Sequence, residues 1–475
     1  MNTPEEVSKL YHTESFRAAG LQMVDQLSNY LEQTLQNQIS VIPFQSPEDE
    51  FLYWQENNSS SSIMDWTDKV LNHSIHVHHP HYMGHQVAVP APVTVWVGAM
   101  SSLLNNGSAV YEMGMASTAQ ERIISELLCA RVGYNPKLAG GILTSGGTLA
   151  NLTALLAARS NKTPVWEEGT SRKLAILVSE EAHYCVDRAA RIMGLGSDGV
   201  IKVPCKPDFS MNTELLDSYF QRAVDNQYQI FAVVGSACST STGSYDNLEI
   251  LAEFAKAKNL WFHVDGAHGG AVVFSEKYRY LVKGIEKADS IAIDWHKMLL
   301  MPGLITSLLF KDNRTSFHTF QQKAHYLWDN SSSFDWFNGG KRTFECTKWM
   351  MSAKISALIH TEGIAIFEKH VNYLYDLGKE MAEQIQAIPE LELALTPATN
   401  IVCFRYIGKG SMTSEEKKQT NSTIRKKLLE EGSFYIVQTE LRGEVYLRVS
   451  LMNPLTNTSH TFALLQRILE IGKNI

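Results

Sequence analysis

The sequence predicts an α/β protein with a large, mainly parallel β-sheet domain, preceded by a helical segment and followed by a smaller α+β domain. From about residue 85 to residue 360, short apolar runs alternate with stretches of helical periodicity, which is typical of parallel strands covered by helices. Beyond residue 360 the pattern changes to mixed strands and helices. The length of 475 residues also exceeds what one ordinary core holds. We therefore expect three structural parts.

The N-terminal part is predicted from one amphipathic helix and one polar loop. Residues 15–36 place apolar side chains three and four positions apart, so a helix with one face to bury is expected there. Residues 55–64 (QENNSSSSIM) are polar and rich in Ser and Asn, a composition typical of surface loops. With the change of pattern near residue 360, these features predict the segments 1–85, 86–360 and 361–475.

The large domain is predicted from its buried strands. The runs GGILTS, LAILVS, IFAVVGS, WFHVDGA and ADSIAID are short and apolar, as expected of strands covered on both faces. The first three are each followed by a helical pattern, for example TLANLTALLAARS after GGILTS. The last part of the chain contains TNIVCFRYIG, VYLRVSLMN and TFALLQRILEIGK, which predict the strands and a helix of the smaller α+β domain.

Composition and charge exclude several classes of protein. Apolar residues make up 44% and charged residues 19%, the balance of a compact enzyme. The net charge is −8 with acidic and basic residues mixed along the chain, so no basic stripe is available for a nucleic acid. The six cysteines form no CxxC pair, which argues against a disulfide framework and favours the reducing cytoplasm. Neither a signal peptide nor an apolar run of about 20 residues is found, so no membrane association is expected.

Residues 144–148 (TSGGT) form a candidate phosphate-binding turn. Gly146 and Gly147 lie between a predicted strand and a predicted helix, where glycine lets the backbone approach a ligand and the amino end of the helix favours an anion. From this segment alone, an ordinary turn capped by Thr148 is equally compatible. The GxGxxG match at residues 194–199 follows a helical stretch and precedes a strand, which reverses the order that dinucleotide binding requires.

Two further segments place carboxylates and an amine at strand ends. Asp265 ends the run WFHVD, and Asp294, His296 and Lys297 follow the run SIAI. Neighbouring parallel strands end at the same edge of a sheet, where open α/β sheets bind ligands. An amine can condense with a carbonyl cofactor, and a carboxylate can keep a pyridine nitrogen protonated. Taken singly, either residue would more often form a surface ion pair.

The segments HVDGA at 263–267 and SIAIDWHK at 290–297 resemble the group II pyridoxal 5'-phosphate (PLP) dependent decarboxylases, the family of aromatic amino acid, histidine, glutamate and diaminobutyrate decarboxylases. The resemblance covers nearly the whole chain. It implies the fold type I of PLP enzymes, which is aspartate aminotransferase-like, with a seven-stranded sheet in the large domain. It also implies a homodimer with the active site at the subunit interface and the N-terminal segment wrapped on the partner.

The resemblance implies a role for each residue of the cofactor site. Lys297 would hold PLP as a Schiff base, and Asp265 would pair with the pyridine nitrogen. His183 would stack on the cofactor ring and Ala267 would contact its other side, although an isolated histidine at the start of a helix is more often structural. The remaining cofactor positions implied are Ser145, Gly146, Gly147, Thr148, Thr240, Ser290 and His296.

Two positions depart from the family pattern. The chain has Asp294-Trp295 where the family often has Asn-Pro or Asp-Pro, which removes an Asn-type phosphate contact at 294. The usual HxS motif at the stacking histidine reads His183-Tyr184-Cys185. Neither change removes a group that the chemistry requires.

The resemblance also implies residues that act on the substrate. Tyr326 matches the proton-donating tyrosine of the family's mobile catalytic loop, a position where related aldehyde synthases commonly carry phenylalanine. Arg448 matches an arginine near a substrate carboxylate, although pairing within the small domain is equally compatible. Tyr82, His85 and Gln86 match the substrate entrance. The histidines between residues 73 and 85 could suggest a metal site, but their spacing is irregular and no metal is expected.

Decarboxylation of an L-amino acid to its amine and carbon dioxide is the activity that the resemblance implies, which makes the chain a carboxy-lyase. Residues 110–114 (VYEMG) and 341–348 (KRTFECTK) resemble diaminobutyrate-type members, so L-2,4-diaminobutyrate is the first substrate expected and aromatic or acidic amino acids are the alternatives. Aldehyde synthesis, transamination and a non-catalytic PLP-binding protein are the competing functions. Tyr326 argues against the first of these, and the complete set of Lys297, Asp265, His183 and Tyr326 argues against the last.

Overall fold

The computed structural model describes residues 4–57, 59, 62–170, 172–320 and 335–475. Contacts divide the chain into two compact units. The larger unit comprises residues 86–383 and 393–403, and the smaller one comprises residues 1–85, 384–392 and 404–475. The smaller unit thus contains residues from both ends of the chain. The sequence suggests three consecutive segments instead, and that division stays a prediction.

Helices occupy much of both units. In chain order the described helices are α1 (Glu5–Lys9), α2 (Thr13–Leu35), α3 (Pro47–Glu56), α4 (Ile63–Asn72), α5 (Val93–Leu104), α6 (Tyr111–Val132), α7 (Gly147–Lys162), α8 (Val165–Glu168), α9 (Cys185–Ile192), α10 (Leu216–Asp225), α11 (Leu248–Ala257), α12 (Met351–Glu362), α13 (Ala365–Gln386), α14 (Ser414–Glu431) and α15 (Thr458–Lys473). Short 3₁₀ helices lie at Ser197–Gly199, Thr213–Leu215, Gly269–Phe274, Arg279–Val282, Ile285–Lys287, Asn313–Phe317 and Gly339–Lys341. None of the described helices is long and apolar enough to cross a membrane.

The strands form two sheets. In chain order they are β1 (Gly140–Thr144), β2 (Lys173–Ser179), β3 (Val200–Val203), β4 (Tyr228–Ser236), β5 (Trp261–Asp265), β6 (Ser290–Asp294), β7 (Thr306–Phe310), β8 (Leu391–Leu393), β9 (Ile401–Tyr406), β10 (Val437–Leu441) and β11 (Glu444–Ser450). The first seven make one sheet in the order β1-β7-β6-β5-β4-β2-β3. β7 runs antiparallel to β1 and β6, and the other neighbours run parallel. This confirms the predicted mainly parallel, seven-stranded sheet.

Helix α7 positions the candidate phosphate turn against this sheet. Its inner face is made of small and aliphatic side chains, and Ala154 and Leu155 have no exposed surface. Burial of one leucine side chain contributes about 2 kcal/mol, so this face fixes the helix on the strands. Its first residue, Gly147, is thereby held directly after β1, at the end of the sheet where β5 and β6 also finish.

The smaller unit contains helix α2 and most of the second sheet. Helix α2 lies where the amphipathic pattern predicted a helix, yet Phe16 and Leu21 are 67% and 60% exposed in this single chain. The second sheet has the order β10-β11-β9-β8, and the division between the units falls within β8 and β9. The predicted small α+β region at the end of the chain is therefore confirmed.

Candidate active site

The carboxyl ends of β5 and β6 carry the two carboxylates of the candidate site. The strands pair in parallel with Asp265 opposite Ala292, and they end at Asp265 and Asp294. These two residues keep only 8% and 1% of their surface exposed. Burial of a carboxylate is unfavourable unless partners compensate for the lost water. The partners of the two carboxylates therefore decide what this edge of the sheet can do.

Lys297 is the partner of Asp294. Its Nζ lies 3.0 Å from Oδ2 of Asp294, while the hydroxyl of Thr306 on β7 donates to Oδ1 of the same carboxylate. Nε2 of His296 lies 3.6 Å from Oδ2. Burial opposes the charge of Lys297, but the carboxylates of Asp294 and Asp265 outweigh it, so the pKa of Lys297 is raised. The sequence did not predict this pairing of Asp294.

Asp265 is held by two donors. The backbone N–H of Ala267 donates to Oδ1 over 3.2 Å, and the thiol of Cys185 donates to Oδ2 with Sγ 3.8 Å away. Burial raises the pKa of the Cys185 thiol far above its usual range, with the charge of Asp265 adding to the effect, so the thiol remains a neutral donor. Cys185 was noted in the sequence only as a departure from HxS, and the structure makes it a contact of Asp265.

His183 lies between β2 and α9, and its orientation is fixed by the backbone. The N–H of Cys185 donates to Nδ1 of His183 over 3.2 Å, so the proton of the neutral ring is on Nε2. Burial lowers the pKa of His183, and the charges of Asp265 and Lys297 act on it in opposite directions. The ring centroid of Tyr184 lies 4.1 Å from that of His183. His183 is therefore a neutral imidazole within electrostatic range of both charged groups.

The turn between β1 and α7 requires its glycines. Gly146 has φ +106°, a conformation that other residues rarely adopt. Gly146 is also the N-cap of α7 and makes no side-chain hydrogen bond, so the first N–H groups of the helix have no such cap. The alternative of a cap by Thr148 is therefore wrong, because Thr148 lies inside the first turn.

The same turn packs closely on the two strand ends. A Cβ added to Gly147 would lie 3.1 Å from Oδ1 of Asp294 and 3.4 Å from Cβ of Ala267. The preceding residue, Ser145, donates its hydroxyl to the carboxylate of Glu345. The structure thus brings Gly147, Ala267 and Asp294 into one cluster, as expected for strand ends that share an edge.

A chain of hydrogen bonds runs from the turn to the interior of the sheet. The amide of Asn151 donates to the carbonyl of Gly147 over 2.8 Å, and Oδ1 of Asn151 lies 2.7 Å from Nε2 of His263. Nδ1 of His263 lies 2.8 Å from the hydroxyl of Ser290, which also accepts a bond from the indole of Trp261. Burial lowers the pKa of His263 to about 4. We call these five residues the buried relay.

The relay corrects the expectation for Ser290. The sequence assigned Ser290 to the phosphate surroundings, but it is the first residue of β6 and is fully buried. It lies at the opposite end of β6 from Asp294, roughly 13 Å away for four residues of extended chain. Its hydroxyl is occupied by His263 and Trp261. Ser290 can therefore act on the turn only through the relay.

Two other predicted cofactor residues, Thr240 and His296, follow strands that end at this edge. Thr240 follows β4 and is half-buried. Nδ1 of His296 lies 2.8 Å from the carbonyl oxygen of Ile305, which fixes its ring. Tyr326, the predicted proton donor, lies outside the described residues.

The predicted substrate residues belong to both units. Tyr82, His85 and Arg448 are in the smaller unit, and Gln86 begins the larger one. Tyr82 is 2% exposed and its ring stacks on that of Tyr435 with centroids 5.5 Å apart. Burial lowers the pKa of His85, and the charge of Arg448 adds to this effect. In the described part of the chain, no three His, Cys, Asp or Glu side chains are grouped as metal ligands.

The chain is similar to known proteins over most of its length. The conserved domain of pyridoxal-dependent decarboxylases matches residues 48–407. The chain is 30% identical over 412 residues to an L-2,4-diaminobutyrate decarboxylase of Rhizobium meliloti, covering 85% of this chain and 80% of the relative. It is 29% identical over 398 residues to the L-aspartate decarboxylase dtxS4 of Metarhizium robertsii, covering 82% of this chain and 79% of the relative.

A solved structure shares the fold. The crystal structure of Oryza sativa TDC with PLP and tryptamine superposes with a TM-score of 0.89, covering 100% of this chain and 99% of the other, at 19% identity. This similarity confirms the predicted fold type, in which the turn after β1 and the ends of β5 and β6 lie together.

Proposed function

The chain belongs to the pyridoxal-dependent decarboxylases and is a PLP-dependent amino acid decarboxylase, and from this premise we propose that its substrate is L-2,4-diaminobutyrate. Support comes from the 30% identity to the Rhizobium meliloti enzyme over most of both chains. L-aspartate is the second candidate, because the fungal L-aspartate decarboxylase is nearly as similar. Aromatic amino acids come third, since the aromatic-L-amino-acid decarboxylase of Bacillus atrophaeus is 26% identical over 415 residues.

The residues at the sheet edge fit PLP. A primary amine at Lys297, a buried carboxylate at Asp265 and a glycine turn without a side-chain cap at 146–147 are the groups that an aldehyde, a pyridine nitrogen and a phosphate require. His183 presents a neutral ring near the same charges. We propose that Lys297 holds PLP covalently, that Asp265 keeps the pyridine nitrogen protonated and that His183 lies against the ring.

Bound PLP supplies an electron sink for the bond between Cα and the carboxylate of the substrate. The chain controls this chemistry through the charges it holds. Asp265, fixed by Ala267 and Cys185, keeps a negative charge in place without rearrangement. When Nζ of Lys297 is not bonded to the cofactor, Asp294 stabilises its ammonium form, so this amine can hold a proton.

Proton delivery to Cα separates decarboxylation from aldehyde synthesis. We assign this step to Tyr326, whose phenol can donate a proton to Cα of the substrate, whereas phenylalanine cannot. Arg448 is proposed to orient the substrate carboxylate, since a guanidinium fork suits a carboxylate. We also propose that the substrate entrance includes Tyr82, His85 and Gln86.

Carbon dioxide release from a panel of amino acids tests the proposal. We expect the largest kcat/KM with L-2,4-diaminobutyrate and a lower value with L-aspartate, L-glutamate, L-tryptophan and L-tyrosine. A larger value with L-aspartate would replace the proposed substrate and leave the family unchanged. Release of ammonia and hydrogen peroxide with the carbon dioxide would instead indicate an aldehyde synthase.

We also propose that the protein acts as a cytoplasmic homodimer. Helix α5 exposes Trp96, Met100 and Leu103 at 49%, 45% and 73%. Their spacing places them on one face of the helix, and an exposed apolar face is typical of an interface. All six cysteines are free, which suits a reducing compartment. Sedimentation at decreasing protein concentration should show loss of activity together with loss of the dimer, and a fully active monomer would contradict the proposal.

A further inference from the structure

A polar cavity lies in the larger unit, beside α6 and the start of β1. Its volume is about 300 Å³, which is at the lower end for ligand pockets. The residues that line it and carry the argument are Thr118, Glu121, Ser125, Lys137, Arg342 and Lys348. None of them belongs to the cofactor and substrate residues proposed above. We call it the Arg342 cavity.

Arg342 is a buried cation whose contacts are all neutral. It is 4% exposed, and its Nε donates to the hydroxyl of Ser316 over 2.9 Å. Nη2 donates to the carbonyl of Gly141 and to the amide oxygen of Asn313. Across the described ranges no carboxylate lies within 4.0 Å of its guanidinium. The charge of Glu121 acts on Arg342 from further away, but that carboxylate is bound to Lys348. A buried cation without a carboxylate in direct contact is unfavourable, so an anion has a reason to bind here.

The other cations of the lining are already paired, with one exception. Nζ of Lys348 lies 2.6 Å from Glu121, Arg122 lies 2.8 Å from Glu126, and Arg314 pairs with Asp312. Lys137 is exposed and, among the residues that the structure describes, has no carboxylate partner. Arg342 and Lys137 therefore give the described lining of the cavity excess positive charge.

Two buried hydroxyl groups of the lining have no hydrogen-bond partner in the described chain. Oγ of Ser125 and Oγ1 of Thr118 are both unsatisfied, and their residues are only 2% and 8% exposed. Buried hydroxyls are normally hydrogen-bonded. Both residues line the cavity, and a rotation about χ1 would turn either hydroxyl toward an acceptor there, such as an anion.

We propose that the Arg342 cavity binds a small oxyanion, either inorganic phosphate or a short carboxylate. Nη1 of Arg342 has no described acceptor and supplies a charge-assisted donor. The hydroxyls of Ser125 and Thr118 supply neutral donors, and Lys137 supplies a second positive charge. Phosphate and carboxylate share the oxygen acceptors that this set recognises.

Calorimetric titration of the holoenzyme tests the proposal, because bound PLP keeps the cofactor's own phosphate place filled. Sodium phosphate and sodium malonate are titrated separately, with sodium chloride holding the ionic strength constant. We expect saturable binding of one anion per chain. The anion with the lower Kd shows whether the cavity prefers phosphate or a carboxylate. Binding should also raise the midpoint of thermal unfolding.

Variants locate the binding. Ser125→Ala removes a buried donor and should weaken binding about fivefold, and Lys137→Gln removes a nearby charge and should weaken it about threefold. Lys256→Gln changes the net charge equally at an exposed position on α11 and should leave binding unchanged. Two results would overturn the proposal: no saturable binding of either anion, or equal binding by Ser125→Ala, Lys137→Gln and the native protein.

Discussion

Strands β5 and β6 make polar contacts near both of their ends, and the contacts at one end are charged whereas those at the other are neutral. Their carboxyl ends hold the charged cluster of Asp265, Asp294 and Lys297, in which one carboxylate accepts from an ammonium and a hydroxyl. Toward the amino ends of the two strands, the buried relay is neutral. Its hydrogen bonds connect Gly147, through Asn151, His263 and Ser290, to Trp261, and each donor has one acceptor. The charged groups can change hydrogen-bond partners during a reaction, whereas the neutral relay fixes the turn at residues 146–147.

Replacement of Lys297, the cation of the charged end, is expected to have the largest effect on activity. Lys297→Ala removes the amine that would bind PLP covalently, so carbon dioxide release should fall by about 10³-fold or more. The visible absorption of the PLP–lysine adduct should disappear from the purified protein. Lys256→Ala, at an exposed site, is the matched control. Retention of the adduct in Lys297→Ala would place the covalent bond on another residue.

Asp265→Asn should have the next largest effect. The amide keeps the shape of the side chain but removes the charge that would hold a proton on the pyridine nitrogen, so kcat should fall by about 10²-fold. Steady-state kinetics at saturating PLP measures this loss separately from cofactor affinity. Unchanged kcat would mean that the carboxylate is structural.

Asp294→Asn should change the pH dependence of cofactor loading. Asp294 helps to raise the pKa of Lys297, and only the uncharged amine attacks an aldehyde. Without this carboxylate the pKa of Lys297 falls, so a larger fraction of the amine is uncharged at neutral pH. The rate at which the apoenzyme takes up PLP, followed by absorbance from pH 6 to 10, should therefore rise at lower pH than in the native protein. A shift to higher pH would contradict the pairing.

A smaller effect is expected in the relay. Asn151→Ala leaves the buried Nε2–H of His263 without a partner and removes one of the donors to the carbonyl of Gly147, so the free energy of unfolding should fall by about 1–3 kcal/mol. PLP should also dissociate faster because the turn is less well fixed. Asn151→Asp keeps the acceptor for His263 and loses the donor to Gly147. Its free energy of unfolding should therefore return closer to the native value than its rate of PLP dissociation does. Equal stability of native and Asn151→Ala proteins in urea would refute the relay's role.

The smallest effect is expected at Cys185. Cys185→Ser keeps a donor to Asp265 and restores the HxS pattern of the family, so kcat should change by less than about threefold. Cys185→Ala removes the donor and should be the poorer enzyme of the two. A loss above tenfold in the serine variant would show that the thiol does more than hold the carboxylate.

The fold was largely predictable because its signals are local. Apolar runs followed by helical periodicity identified the strands, and the position of Asp265 and Lys297 after such runs placed both at one edge of the sheet. The pairing of residues 1–85 with residues 404–475 was not predictable, because contacts between distant segments leave no periodic trace in either one.

The candidate site was predicted less completely. Ser290 was assigned from a motif match, but a motif does not show which end of a strand a residue occupies. The pairing of Asp294 with Lys297 depends on how the chain turns after β6, and three residues of separation outside a helix predict no contact. The relay could not be foreseen from sequence, since Asn151 and His263 are joined only by the packing of α7 on the sheet.

The antiparallel pairing of β6 with β7 has a consequence for the order in which the protein folds. Asp294, Lys297 and Thr306 all lie within residues 290–310, where a short connection closes a local strand pair. Local contacts form quickly during folding because little chain entropy is lost. Gly147, His183 and Asp265 must arrive from distant parts of the chain. We therefore expect the lysine to meet its carboxylate early during folding, and capture of the cofactor to be among the last events.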